Sequence, residues 1–188
     1  MLKNVEKLIK SVSSNTLYDC ILCENIGTTI LGIKSCEIIN IPRCMYKKLK
    51  DIDENIMVKV VKVLPNNKLK VLVINKSKLD YILKEKDANE VLVNLGYPKE
   101  YDLFVYINHL MNKLSFDNDF PHEIGIFLGY SLKDVLGYMG LLDIPYQKTL
   151  GWYIYGDVEE SEILYNEICT TKKQVRAMFE KIHNKNVI

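Results

Sequence analysis

The sequence lacks any long apolar run and any large excess of charge of one sign. No stretch approaches the roughly 18–20 apolar residues of a membrane-spanning helix, so a membrane protein is not expected. The formal net charge is only +1, which gives the whole chain no electrostatic attraction to nucleic acid or to an anionic membrane. The first ten residues alternate charged and apolar side chains, unlike a secretory signal, so a cytoplasmic location is expected.

The cysteines are too few and too irregularly spaced for a disulfide framework or a zinc ribbon. They number five, and in a cytoplasmic protein they are expected to be thiols. Cys20 and Cys23 have the spacing of a metal-binding pair, but seven residues separate Cys36 from Cys44, too many for a second pair. Cys20 and Cys23 would share one face of a helix, where packing as small apolar residues is the simpler interpretation. A metal or redox site formed by this pair with His122 is the alternative.

What the chain does contain is an ordinary globular composition, with 48% apolar and 26% charged residues among 188. This length suits a single domain over residues 1–188, which can fold without a metal or disulfide. The clearest β signal is a hairpin at 56–75, in which two apolar strands flank Pro65-Asn66-Asn67.

Periodicity and capping residues predict the other elements. The expected helices cover 2–13, 17–23, 77–84, 87–95, 100–114, 132–142, 159–169 and 171–183. Short strands are expected at 37–41 and 152–155, and a turn-rich passage at 28–31. Helices outnumber strands without regular alternation, which predicts an α+β fold with a small antiparallel sheet packed with several helices.

The most distinctive passage is Phe120–Val135, which places Pro121, His122 and Glu123 ahead of two glycines and a dense apolar run. A histidine beside a carboxylate can transfer protons near neutral pH, which makes a catalytic pair one interpretation. In the other, Pro121 begins a helix, Glu123 stabilises its first turn, and His122 satisfies a buried hydrogen bond. Ile126 stands where the second histidine of H-E-x-x-H would be, which excludes a zincin.

This passage resembles the signature of an uncharacterised family, a domain of unknown function from anaerobic Gram-positive bacteria of the clostridial type. The family pattern F-P-H-E-I-G-x-F-L-G-Y-P-x-x-D-V-x-G-F matches residues 120–138, with Ser131 in place of the proline and Tyr138 in place of the last phenylalanine. A later family pattern, Gly-Tyr-Trp-x-Val-Tyr-Gly-Asp, resembles residues 150–157. The resemblance implies membership of that family without implying an activity.

A catalytic cysteine is the sharpest enzyme hypothesis, and it suggests a hydrolase or transferase. Many of the proteins that the chain resembles carry a cysteine near the N-terminus, but Ile26 occupies that position here. If the family thiol is a nucleophile, the resemblance implies that this member is inactive. Otherwise Cys20 or Cys23 is the candidate nucleophile and His122 the base. The candidate orienting residues are Glu123, Asp134 and Asn118.

Residues 124–135 also have the spacing of a helix-turn-helix motif. From Asp119 to Asp143, however, Lys133 is the only lysine or arginine. A recognition helix needs such residues to contact phosphates and bases. Two helices packed across a glycine turn are therefore the favoured interpretation, and nucleic acid is not an expected partner.

Aromatic residues in and near the strand predicted at 152–155 form the remaining candidate site. Tyr130, Trp152 and Tyr155 are predicted to line a ligand pocket, since such rings supply apolar area with polar tips, although the inward face of a strand is an equal explanation. The favoured function is a non-enzymatic ligand-binding or regulatory module with its site near His122 and Glu123. The expected partner is a small molecule or a protein, and the sequence specifies neither a cofactor nor an oligomeric state.

Overall fold

The computed structural model describes residues 1–12, 16–115 and 120–184, and in these ranges it confirms the predicted α+β class. None of the helices in these ranges has the length and apolar character needed to cross a bilayer. The elements in chain order are α1 Leu2–Ser11, α2 Leu17–Ile30, β1 Cys36–Pro42, α3 Arg43–Lys50, β2 Ile56–Leu64, β3 Lys68–Asn75, α4 Lys76–Lys84, α5 Lys86–Asn94, α6 Leu103–Ser115, α7 Ile124–Leu128, α8 Leu132–Tyr138, β4 Lys148–Thr149, β5 Tyr153–Ile154 and α9 Val158–Asn184.

The chain divides into two compact units. The first contains Met1–Lys76 and Asn166–Ile188, and the second contains Ser77–Tyr165. Helix α9 therefore contributes its first residues to the second unit and the remainder to the first. The single domain expected over residues 1–188 stays a prediction.

The first unit is built on a three-stranded antiparallel sheet in the order β1-β3-β2. Strands β2 and β3 form the predicted hairpin, with the predicted loop at residues 65–67. Asn66 and Asn67 have φ angles of 58° and 56°, a left-handed conformation that asparagine adopts more readily than most residues. The hairpin prediction is therefore confirmed in both its strands and its turn.

The core of the first unit combines the sheet with faces of α1, α2, α3 and α9. Leu8 and Ile9 of α1 are fully buried in one cluster with Val71 of β3 and with Val175 and Phe179 of α9. Burying a large aliphatic or aromatic side chain contributes about 1.5–3 kcal/mol. The last part of α9 is therefore integral to this core, although it is distant from the sheet in sequence.

Helix α2 is longer than predicted, and the prediction of a turn-rich passage at 28–31 is wrong. The helix begins after Thr16, whose hydroxyl accepts a hydrogen bond from the backbone N–H of Asp19 at 3.2 Å, and continues through Ile30. Gly27 does not end it, because its missing side chain leaves room for α9. A Cβ at Gly27 would lie 2.8 Å from Cγ2 of Val175.

Two more predictions fail for similar reasons. The break between helices at residue 170 does not exist, because α9 is one continuous helix of 27 residues. Thr171, the first residue of the last predicted helix, is buried in the interior of α9, so tertiary packing overrides the local preference for a helix start. Helix α3, which follows Pro42 directly, was not predicted.

The second unit is mostly helical and contains the two-stranded antiparallel ribbon of β4 and β5. Tyr106 of α6 is fully buried, and its hydroxyl donates to the carbonyl of Pro98 at 2.8 Å. Helix α8 ends at Tyr138 and not at 142 as predicted, and the strand predicted at 152–155 is reduced to Tyr153–Ile154. These shorter elements border the site described next.

Candidate functional site

Residues 120–138, which match the first family pattern, are called the signature passage below. Helices α7 and α8 form a tight corner within it. Gly129 ends α7 with a φ of 86°, a left-handed conformation that costs glycine little. The hydroxyl of Ser131 accepts a hydrogen bond from the backbone N–H of Asp134 at 3.2 Å, which caps α8. A Cβ at Gly125 would lie 2.7 Å from Cγ2 of Val135, so the glycine permits close packing of the two helices.

A cavity of about 310 Å³ lies beside this corner. This volume is at the lower end of the range for small-molecule sites. Among the described residues that line it, Asp134 is the only aspartate, glutamate, lysine or arginine. Half of the lining residues carry rings, and these are Phe120, His122, Tyr130, Tyr138, Trp152 and Tyr153.

Four of these rings form two stacked pairs. Tyr130 and Trp152 have centroids 4.5 Å apart and an interplanar angle of 16°. Tyr138 and Tyr153 have centroids 5.6 Å apart and an angle of 17°. The edge contact between His122 and Tyr138, with centroids 5.2 Å apart, extends the second pair. These contacts restrain the rings before any ligand arrives.

The buried carboxylate of Asp134 holds one wall of the cavity in place. Its Oδ1 accepts hydrogen bonds from the backbone N–H groups of Tyr155 and Gly156, both at 2.8 Å. Its Oδ2 accepts from the indole Nε1 of Trp152 at 3.0 Å and from the hydroxyl of Ser161 at 2.8 Å. These four bonds occupy the acceptor sites of a carboxylate. Asp134, proposed from sequence only as an orienting residue, therefore fixes the Trp152 indole.

Tyr155 does not line this cavity, whereas Tyr130 and Trp152 do. The ring of Tyr155 packs against Gly137, where a Cβ would lie 2.5 Å from its Cβ and Cγ atoms. Its edge contacts Tyr146, with centroids 5.9 Å apart. Tyr155 therefore packs between α8 and Tyr146, which precedes β4.

His122 and Glu123 are neighbours in sequence but have opposite surroundings. His122 is exposed and lines the cavity, so the interpretation that it satisfies a buried hydrogen bond is wrong. Glu123 is only 4% exposed, and its Oε1 lies 2.5 Å from Nζ of Lys113. The hydroxyl of Tyr97 also donates to this oxygen at 3.4 Å. Because Lys113 and Tyr97 engage the Glu123 carboxylate, it is not positioned as a proton-transfer partner of His122.

Tyr97 and His109 complete the surroundings of the Lys113–Glu123 pair. Burial, and then the Glu123 carboxylate, raise the pKa of the Tyr97 hydroxyl well above its usual range. The rings of Tyr97 and His109 have centroids 4.2 Å apart. Burial and the positive charge of Lys113 lower the pKa of His109. No sequence pattern indicates this cluster, because its members come from separate segments and share no periodicity.

The site proposed from the sequence for Cys20, Cys23 and His122 stays a prediction. Cys20 and Cys23 belong to the first unit and His122 to the second. Burial raises the pKa of Cys20 to about 11 and that of Cys23 to about 12, opposite to the shift that activates a nucleophilic thiol. No group of three or more His, Cys, Asp or Glu residues in the described ranges could hold a metal ion. Asn118, the other proposed orienting residue, lies outside those ranges.

Comparison with known proteins identifies a family. A family model described as "Protein of unknown function (DUF3793)" matches residues 22–188. No curated protein and no solved structure matches the chain. Because the family match covers most of the sequence, this chain belongs to the DUF3793 family of proteins of unknown function.

Proposed function

We propose that this protein is a non-enzymatic binding module, which holds a small molecule with a planar apolar body in the cavity beside α7 and α8. The observation that carries the proposal is the pair of aromatic stacks, Tyr130 with Trp152 and Tyr138 with Tyr153, on the lining of one cavity. Aromatic rings offer a large apolar contact area and favour offset stacking with other planar groups. Rings restrained by each other lose little conformational freedom when a ligand binds.

The polar groups near the cavity also favour binding over catalysis. Asp134 has its acceptor sites occupied, and Glu123 is paired with Lys113. Within the described residues, His122 is left as the imidazole that lines the cavity, without a carboxylate to orient it. The raised pKa values of Cys20 and Cys23 keep both thiols protonated at neutral pH, which disfavours the cysteine-dependent hydrolase or transferase.

We also infer a bacterial, cytoplasmic setting. The inference rests on the resemblance of residues 120–138 to a signature of anaerobic Gram-positive bacteria. All five cysteines are free thiols, which suits a reducing compartment.

Trp152 makes the binding proposal directly testable, because it is the sole tryptophan of the chain and lines the cavity. Planar aromatic fragments would be screened by Trp152 fluorescence and by its single indole N–H resonance in NMR spectra. We expect some fragments to shift both signals with saturable titration curves. Tyr153→Ala should weaken those fragments about tenfold, because it removes one ring of a stack on the lining.

A matched control is available on α4 of the same unit. Tyr81 is 66% exposed and outside the cavity lining, so Tyr81→Ala should leave fragment affinity unchanged. The proposal fails if no fragment perturbs Trp152, or if Tyr153→Ala and Tyr81→Ala have equal effects on the fragments that do.

A further inference from the structure

We infer that the cavity selects an organic cation and that its ligand carries a quaternary ammonium group. The inference rests on the proposed function and adds the chemical class of the ligand. It follows from three features of the cavity, which are the charge of its lining, the occupied acceptor sites of Asp134, and the aromatic character of the walls.

The first feature is a buried carboxylate that has no positively charged partner among the described residues. Asp134 is 2% exposed, and no ion pair to it is formed by the residues that the structure describes. Its four hydrogen-bond donors, from Trp152, Tyr155, Gly156 and Ser161, are all neutral. Buried charges in proteins are ordinarily matched by an opposite charge, and no lysine or arginine lines this cavity. A cationic ligand would supply the missing counter-charge.

The second feature decides which kind of cation fits. A primary ammonium must exchange its hydrogen bonds to water for bonds to acceptors in the site. The acceptor sites of Asp134 are already occupied, so an N–H donor gains no new partner there. A quaternary ammonium has no N–H group, and the carboxylate attracts it through charge alone.

The third feature is the ring-lined wall. A cation within about 6 Å of the centroid of a tryptophan or tyrosine ring is attracted by the negative ring face. Tyr130, Trp152, Tyr138 and Tyr153 all contribute to the lining. Methyl groups on a quaternary nitrogen pack against such rings while the charge stays close to them, and enclosure strengthens this attraction because water is removed.

The experiment compares two probes of the same shape that differ in charge. They are para-hydroxyphenyl trimethylammonium and its neutral counterpart para-tert-butylphenol. Each is titrated into the full chain, and binding is followed by the Trp152 fluorescence and indole N–H resonance. We expect the cation to bind about tenfold more tightly than the neutral probe, a ratio typical of a partly desolvated cation–π site.

Two variants at one exposed position sharpen the test. His122 lines the cavity but is exposed, so a charged residue is tolerated there. His122→Lys should weaken the cation about fivefold, and His122→Glu should strengthen it by a similar factor, as expected for one partly screened charge. The neutral probe should respond equally to both variants. Asp134→Asn should abolish the preference for the cation. If Asp134→Asn does not fold, the comparison of His122→Lys with His122→Glu still tests the inference.

The possible outcomes separate this inference from the proposed function. Equal affinity for both probes would overturn the selection of a cation but leave the binding module intact. The same holds if neutral planar fragments shift Trp152 and the cation does not. If neither probe nor any fragment perturbs Trp152, both proposals fail. A preference for the cation that falls in His122→Lys and rises in His122→Glu would support the inference.

Discussion

Two buried carboxylates stand in the signature passage, and their surroundings differ in one essential respect. Glu123 is paired with the positive charge of Lys113 from α6. Asp134 is just as deeply buried but accepts only from neutral donors. The Glu123 carboxylate is thus stabilised mainly by an opposite charge, and the Asp134 carboxylate by hydrogen bonds alone. Under the proposed function, the charge of Glu123 is balanced within the fold, whereas the charge of Asp134 attracts the ligand.

The largest effect is expected at Asp134. Asp134→Ala leaves the Trp152 indole, the Ser161 hydroxyl and two backbone N–H groups without their acceptor, so it should lower the free energy of unfolding by about 4 kcal/mol or more. Chemical denaturation measures this change. Asp143→Ala is the control, since Asp143 is exposed and should change stability by less than about 0.5 kcal/mol. Equal effects of the two substitutions would show that Asp134 does not organise the site.

The next effect concerns the paired carboxylate. Lys113→Met removes the counter-charge of buried Glu123, and it should cost about 2–3 kcal/mol because Lys113 is itself partly exposed. Adding Glu123→Gln to that variant should restore much of the loss, since no unmatched charge then remains. A double-mutant cycle by chemical denaturation measures the coupling. Additive effects would show that the pair is not coupled and would remove the contrast with Asp134.

A smaller effect is expected from removing one of the four donors to Asp134. Ser161→Ala should cost about 1 kcal/mol, because one hydrogen bond to a carboxylate is lost while three remain. The Trp152 emission should stay close to that of the unmodified protein, since its bond to Asp134 persists. Denaturation and fluorescence of the same samples provide both readings. A large change in emission would mean that Ser161 fixes the indole more directly.

The smallest expected effect is a pH dependence of the folding stability, which His109 causes beside the Lys113–Glu123 pair. Burial and Lys113 lower the His109 pKa below its unfolded value of about 6.5, so the folded state binds fewer protons than the unfolded state. The stability contributed by neutral His109 is therefore complete above about pH 6.5 and declines as the pH falls below it. His109→Gln should flatten the stability profile between about pH 7 and about pH 5.5, as thermal unfolding would measure. An unchanged slope would contradict this assignment.

The parts of the fold that depend on local chemistry were predictable from the sequence. The hairpin was found because Pro65, Asn66 and Asn67 specify a turn by themselves. The lengths of α2 and α9 were not predictable, because Gly27 and Thr171 are residue types that local sequence places at helix ends. Only the contact of Gly27 with Val175, which is distant in sequence, explains why α2 continues.

The candidate site shows the same division between local and distant information. Tyr130 and Trp152, which line the cavity, can be singled out from the sequence because aromatic residues cluster in the signature and near the short strand. The partners of the two carboxylates, Lys113 and Ser161, were missed because a single lysine or serine carries no positional signal. The sequence also could not predict that His122 is exposed while Glu123 is buried. The burial of each side chain depends on which side of the chain faces the packed interior.

The division of the chain into two units has a consequence for the order in which it folds during synthesis. The second unit, Ser77–Tyr165, is one continuous segment, so its residues emerge from the ribosome in a single uninterrupted stretch. The first unit is completed later, because Val175 and Phe179 of its core follow the whole second unit in the chain. The sheet of the first unit therefore lacks part of its core while the whole second unit is synthesised, and its apolar surface is open to other chains and to chaperones during that time.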